Sequence, residues 1–220
     1  SIHPDKVIVA TPAVDHSFFY PRSKQHAAEI LRKYGIMDRS YLLFTGTIEP
    51  RKNLTGLLSA YERIDRSLAD EFPLVLVGGK GWLDCEIHQR IEHLRSIGYK
   101  IVQTGYVPYD ELPLLYSRAR TFVFPSLYEG FGMPPLEAMA CGTPVITSNN
   151  SSLPEVVANA GLLVDATNED QLATALEELL TNDARSDRMA ELGLIQAHTF
   201  TWEKSARIVL NALATTRESQ

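Results

Sequence analysis

A chain of 220 residues, 45% of them hydrophobic, holds enough apolar material for one sizeable core and calls for a single domain. With 27 acidic against 21 basic residues the formal charge is −6, and no Lys/Arg run is dense enough for a nucleic-acid track, which excludes that class of partner. No apolar run approaches the roughly 20 residues that cross a bilayer and no secretory leader precedes the first apolar run, so the chain reads as cytoplasmic without membrane contact of its own. Cys85 and Cys141 follow no metal or redox spacing, and two thiols in such a chain suit a reducing compartment. The sequence opens on Ser1 rather than Met and reaches an apolar run almost at once, as a piece of a longer protein would.

KVIVA at 6–10 predicts a short buried strand, followed by an irregular connection that closes at Pro21, with Asp15 capping a turn and His16 at the surface. Ser23 is placed to cap a helix that runs to Tyr34, with Ala27, Ile30 and Leu31 on one side and Gly35 as its stop. YLLFT at 41–45 predicts the first strand of the main sheet, then the loop GTIEPRK and a helix over about 53–69. Strands follow at 72–77 and 99–104, with helices starting near Asp84 and covering 110–119. The runs 121–126, 144–147 and 161–164 complete the strands. Ser152 is expected to cap the short helix PEVV, and three amphipathic helices cover 168–180, 183–198 and 201–215. Trp202 is expected to pack in the ordinary way. Strands separated by helices throughout predict a doubly wound parallel α/β sheet, Rossmann-like, whose loops gather at its carboxyl edge.

The chemistry concentrates in EGFGMPPLEAMACGTPV at 129–145, between two apolar runs. Gly130 and Gly132 let the backbone approach a bound group, and Pro134 and Pro135 suit the first turn of a helix, where missing N–H groups cost little. A helix N-terminus carries roughly half a positive charge with unpaired donors, a seat for phosphate. Glu129 before the helix and Glu137 about a turn inside it could meet different hydroxyls of one ligand, so a phosphate-bearing sugar compound fits. Arg51 and Lys52 stand at the start of another helix, where cations oppose the dipole; an anionic partner explains them better than a solvated pair does. VGGKGW at 77–82 is not a Walker loop, because Gly81 follows Lys80, and no GxGxxG occurs, which argues against a P-loop NTPase and a standard dinucleotide-binding domain.

EGFGMPPLE, with its E-x7-E spacing, resembles the donor-site signature of GT-B glycosyltransferases of the large retaining group 1 (family 4) type, which includes sucrose synthases and bacterial mannosyltransferases. GTIEPRKN at 46–53, VGGKGW, GYVPYDELPLLYSRA at 105–119 and SSLPEV at 151–156 extend the resemblance over nearly all of the chain, as the C-terminal, donor-binding half of such an enzyme. The resemblance implies that Lys52 holds the donor diphosphate, that Glu137 binds the ribose hydroxyls, and that Glu129 contacts the donor sugar. Main chain at Gly132 and Met133 would add donors to the diphosphate, Tyr106 and Val107 would meet the base, and Gly46, Ser126, Gly130 and Phe131 would complete the donor pocket. Family members carry an arginine after the first glycine of the 46–52 loop; here that position is Thr47, and Arg51 is the candidate substitute. No D-x-D occurs, so no metal or other cofactor is expected.

The function expected is transfer of a hexose, mannose or glucose, from a nucleoside diphosphate sugar to a glycan or lipid-linked acceptor. Acceptor contacts, and any reach to the inner membrane face, fall to an N-terminal domain absent from this chain. Helix 201–215 is the element expected to cross to that domain. A non-catalytic nucleotide-sugar binding or regulatory module would use the same pocket. A glycosidase carboxylate pair fits the phosphate-seating context less well.

Overall fold

The computed structural model describes residues 3, 6–36, 40–79, 81–82 and 85–218, with residues 216–218 described by backbone only. Six strands form one parallel sheet: β1 (Leu42–Thr45), β2 (Leu74–Val77), β3 (Ile101–Gly105), β4 (Thr121–Phe124), β5 (Val145–Ser148) and β6 (Gly161–Val164), in the order β3-β2-β1-β4-β5-β6. The four inner strands are buried along their whole length, and only β3 and β6, at the edges, are partly open. That is why LLFT, LVLV, TFVF and VITS read as continuous apolar or β-branched runs rather than as alternation: helices cover both faces.

The helices are α1 (Lys24–Lys33), α2 (Leu54–Arg63), α3 (Arg66–Glu71), α4 (Cys85–Ser96), α5 (Leu112–Tyr116), α6 (Met133–Ala140), α7 (Leu153–Val157), α8 (Glu169–Thr181), α9 (Asp183–Ala197) and α10 (Trp202–Glu218). Helix α2 packs on α4 and α8, whereas α6 packs on α5, α7 and α9. Right-handed crossovers require this division, since the chain moves one way across the sheet from β1 to β3 and the other way from β4 to β6. The order reverses between β1 and β4, and an open parallel sheet has its crevice there, outside the carboxyl ends of the strands.

Several expectations need correction. Residues 7–10 form no strand; Val7, Ile8 and Val9 are 59%, 60% and 71% exposed. Apolar character alone does not make a strand without a partner edge, and the sheet begins at Leu42. Ala10 and Pro12 instead form an open apolar groove with Trp202, Ala206, Val209 and Leu210 of α10. Trp202 is thus 56% exposed, surplus surface rather than packing. The helix expected over 53–69 breaks in two at Ile64, where the backbone is extended, because the Asp65 carboxylate accepts from the Ser67 N–H and starts α3 as its cap. Residues 110–119 give only a tight turn and the five residues of α5. Ser23 precedes α1 but caps nothing with its side chain, which pairs with His26 Nδ1 at 3.0 Å. His16 is half-buried, stacked on His198 at 4.5 Å, while Asp15 does cap its turn through the N–H and hydroxyl of Ser17. The expected helix start at Asp84 and the Lys80 of the glycine loop lie outside the described residues.

Candidate active site

Three loops at the carboxyl edge are bound to one another through the backbone. The Gly46 N–H donates to Val77 O at 2.9 Å, the Ile48 N–H to Gly79 O at 3.1 Å, and the Gly78 N–H to Gly105 O at 2.9 Å. Approach is so close at Gly78 that a Cβ would stand 1.9 Å from Gly46 O, so only glycine fits. The Leu127 N–H then donates to Arg51 O at 2.9 Å, tying the loop after β1 to the loop after β4 across the reversal point.

On this frame residues far apart in sequence converge. Lys52 is 8% exposed, and its Nζ donates to Glu129 Oε1 at 2.7 Å while lying 4.7 Å from the centre of the Phe124 ring. The Arg51 guanidinium reaches the same Glu129 oxygen at 2.9 Å, donates to Tyr128 O at 2.9 Å, and pairs through its other nitrogen with Glu49 at 2.7 Å. Burial pushes the Glu129 carboxyl up, but the hydrogen bond from Lys52 and the charges of Lys52 and Arg51 outweigh it and hold the group below the usual carboxylate range. Glu129 is therefore ionised at neutral pH, with two cations on one oxygen.

The 129–132 turn is strapped from outside. Ser151 Oγ accepts from the Glu129 N–H at 3.0 Å, and Ser152 Oγ donates to Glu129 O at 3.0 Å and Phe131 O at 2.6 Å. Ser152 is thus not the side-chain cap of α7: its hydroxyl fixes the glycine turn instead. Gly132 has φ +116 and precedes α6, whose second and third positions are Pro134 and Pro135. Those prolines lack N–H groups, which leaves Gly132 and Met133 as the main-chain donors of that turn.

Residues 27–216 match the family described as Glycosyl transferases group 1. The chain belongs to that family. Among group 1 relatives, the O-antigen chain mannosyltransferase B of Escherichia coli is 42% identical over 210 residues, covering 96% of this chain and 55% of that protein. A sucrose-phosphate synthase from Thermosynechococcus elongatus has a similar structure, with TM-score 0.80 at 29% identity over 96% of this chain and 53% of the other. At 19% identity the Anabaena protein HepE, solved in complex with UDP-glucose, shares the fold with TM-score 0.78 over 94% of this chain and 56% of its own. The fold is the Rossmann-like half of a GT-B glycosyltransferase. The chain spans only about half the length of such relatives.

Within this group 1 chain, Glu137 occupies a different environment from Glu129. It lies on α6, 8% exposed, and accepts a hydrogen bond from the Tyr116 hydroxyl at 3.0 Å through Oε2. Burial raises its carboxyl to about 7, and the Tyr116 bond only partly offsets this. Tyr106 is 77% exposed on the edge after β3, while the Val107 side chain is buried in the core, so Val107 offers a ligand only its main chain. Gly130 has open space around it, whereas Gly46, at φ +143, lies against the Phe44 ring and the Lys52 stem, and the Phe131 ring packs edge-on against Phe200 at 5.7 Å. Ser126 is fully buried beside the 129 turn. Cys141 is buried, with its thiol pushed up to about 12, and is inert at neutral pH. The reading from sequence missed Glu49, Ser151, Tyr116 and Thr45 as members of this network. Glu49, two residues before Arg51, carried a local signal, and Ser151 lay in the SSLPEV segment that resembles the family's loop near the donor.

Proposed function

We propose that this chain is the donor-binding domain of a retaining glycosyltransferase that moves a hexose, mannose or glucose, from a nucleoside diphosphate sugar to a glycan or lipid-linked acceptor. The observation that carries the reading is the meeting of Lys52 and Arg51 on Glu129 at the point where the strand order reverses. A departing diphosphate gains negative charge in the transition state, and fixed cations stabilise it there more than in the ground state. Lys52, Arg51 and the N–H groups of Gly132 and Met133 supply that stabilisation. Diphosphate arrival competes with Glu129 for Lys52, which frees the carboxylate for the sugar hydroxyls and for positive charge at the anomeric carbon. Glu137 takes the ribose hydroxyls, main chain at 106–107 meets the base, and Gly46, Ser126, Gly130 and Phe131 complete the pocket.

Hexose transfer is supported by the mannosyltransferase name of the E. coli relative, and a sugar nucleotide by the UDP-glucose held by HepE. The reading has no metal in it: side-chain cations meet the diphosphate charge, and a chelator is expected to leave the chemical step of the full-length enzyme intact. The partner is an N-terminal acceptor domain of the same protein, seated on the apolar groove of residues 10–12 and α10. The protein would then work in the cytoplasm, with the inner membrane face reached through that domain.

Transfer needs both substrates held in reacting geometry, which can account for about 7 to 11 kcal/mol of a barrier in the best intramolecular cases. The 220-residue chain should therefore bind its sugar nucleotide in a calorimetric titration against a panel of nucleoside diphosphate hexoses, yet transfer nothing beyond slow hydrolysis. Efficient transfer by this chain alone would falsify the half-enzyme reading, and absence of binding to the whole panel would remove the donor assignment.

A further inference from the structure

Tyr116 is fully enclosed on α5, its ring packed edge-on against Phe122 at 5.4 Å and at a tilt to Phe19 at 6.2 Å. Its main-chain oxygen accepts from Thr143 Oγ1 at 2.6 Å, so both ends of the residue are pinned. The hydroxyl lies 3.0 Å from Glu137 Oε2 and 2.8 Å from Thr45 Oγ1. Thr45 ends β1 and directly precedes the 46–52 loop, whereas Glu137 belongs to α6 beyond β4. The buried hydroxyl therefore joins the two sides of the strand-order reversal.

We propose that Tyr116 is a positioning residue, which with Thr45 behind it orients the Glu137 carboxylate toward the ribose of the bound nucleotide. The proposal rests on the ribose reading of Glu137 given above. Hydrogen counting supports it. An ionised carboxylate only accepts, so Tyr116 must donate to it, and Tyr116 can then only accept from Thr45. Tyr116 occupies one lone pair of Oε2 and leaves Oε1 for a diol. A protonated Glu137 allows the chain to run the other way, with Tyr116 donating to Thr45 and Glu137 spending its proton on Tyr116. The carboxylate that two ribose hydroxyls need is thus the form that fixes the Thr45–Tyr116–Glu137 direction.

Around neutral pH Glu137 is the titrating group of this cluster. Tyr109 and Cys141, which feel its charge, are both raised by burial, and Tyr116 stands well above the usual tyrosine range. Of the elements packed on α6, β4 and β5 carry no charged side chain. Glu155 of α7 and the charged residues of α9 (Asp183, Arg185, Asp187, Arg188 and Glu191) are solvent-exposed.

The test uses full-length protein, wild type and Tyr116→Phe, with two readouts. Difference infrared titration of the Glu137 carboxyl, assigned with Glu137→Gln, reads positioning without any ligand; loss of a hydrogen bond to the ionised form should raise the midpoint by about one pH unit or more. Affinities for uridine and guanosine diphosphate, each beside its 2′,3′-dideoxy form, read ribose recognition, and the ribo-to-dideoxy ratio should fall by about tenfold in Tyr116→Phe above neutral pH. A merely structural loss would weaken both forms equally. An unmoved midpoint, or a wild-type preference that survives in Tyr116→Phe, overturns the proposal alone. Equal wild-type affinities for the two forms overturn the ribose reading and the proposal with it. Should Tyr116→Phe fail to fold, Thr45→Val keeps the last donor bond while removing the one behind it. It should shift both readouts the same way by about threefold, and no shift in Thr45→Val overturns the relay.

Discussion

Glu129 and Glu137 stand eight residues apart on one connection, and the protein treats them in opposite ways. Glu129 lies between two cations and is held ionised. Glu137 is buried and accepts from the neutral Tyr116 hydroxyl, with its carboxyl raised by burial to about 7. The difference teaches that burial alone does not set the state of a carboxylate in a cleft; what decides is whether the loops across the sheet bring charge or only hydroxyls. It also separates two tasks. In the proposed function, a fixed negative charge suits a developing positive centre beside the cations assigned to the diphosphate, whereas Glu137 is assigned to hydrogen bonds with a diol.

The sharpest break in the comparison is Lys52→Ala. It removes the buried partner of Glu129 and the proposed partner of the diphosphate together. Nucleoside diphosphate affinity should fall by about one to two decades, from the roughly 1.5 to 3 kcal/mol of a charge-assisted hydrogen bond, with nucleoside affinity little changed in the same titration. Equal losses for both ligands would sink the phosphate role.

Glu137→Gln separates the two carboxylates by the pH dependence of stability. Between the ordinary carboxyl value of 4.5 and about 7 the folded chain holds a Glu137 proton that the unfolded chain has lost. Stability therefore declines as pH rises through that window and levels off above it. Glu129, held low, acts with the opposite sign: its contribution is present above the ordinary carboxyl value and is lost on acidification. Glu137→Gln lacks the first effect, so it should gain on wild type by about 2 kcal/mol between pH 5 and pH 8 in denaturant titrations. A constant difference between the two proteins across that range would contradict the raised carboxyl.

The smallest effect is expected from Arg51→Ala. The Arg51 side chain is 41% exposed, and an ion pair so open to solvent contributes well under 1 kcal/mol. A loss of about threefold in diphosphate affinity is expected in the same titration as Lys52→Ala, and a loss as large as that of Lys52→Ala would make Arg51 an equal partner.

Much of the fold was legible from local pattern. LLFT, LVLV, TFVF and VITS stand out because strands covered on both faces need continuous apolar side chains, and these runs and the edge strand GLLV each fell within a residue or two of their places. KVIVA has the same composition and failed, since being a strand is a property of a pair. Ser152 illustrates a related limit at the site. A serine before a helical segment reads as its cap, but here the hydroxyl turns to the main chain of Glu129 and Phe131, which sequence spacing does not reveal. Asp65 was overlooked because its Ser67 bond competes with the helix only once Ile64 has turned to extended geometry.

By itself the sequence determined the alternation of strand and helix, the glycine turn with its two prolines, and the presence of two cations and two carboxylates beside it, because each depends on residues a few positions apart. Tertiary structure decided the strand order. That order places the ends of β1 and β4 side by side, so Lys52 meets Glu129 across 77 residues and Tyr116 bridges Thr45 to Glu137 across 71 and 21. Such pairings are set by the reversal of direction in the sheet, and the protonation of each carboxylate follows from them: low-dielectric surroundings amplify whatever charge or hydroxyl the far loop delivers.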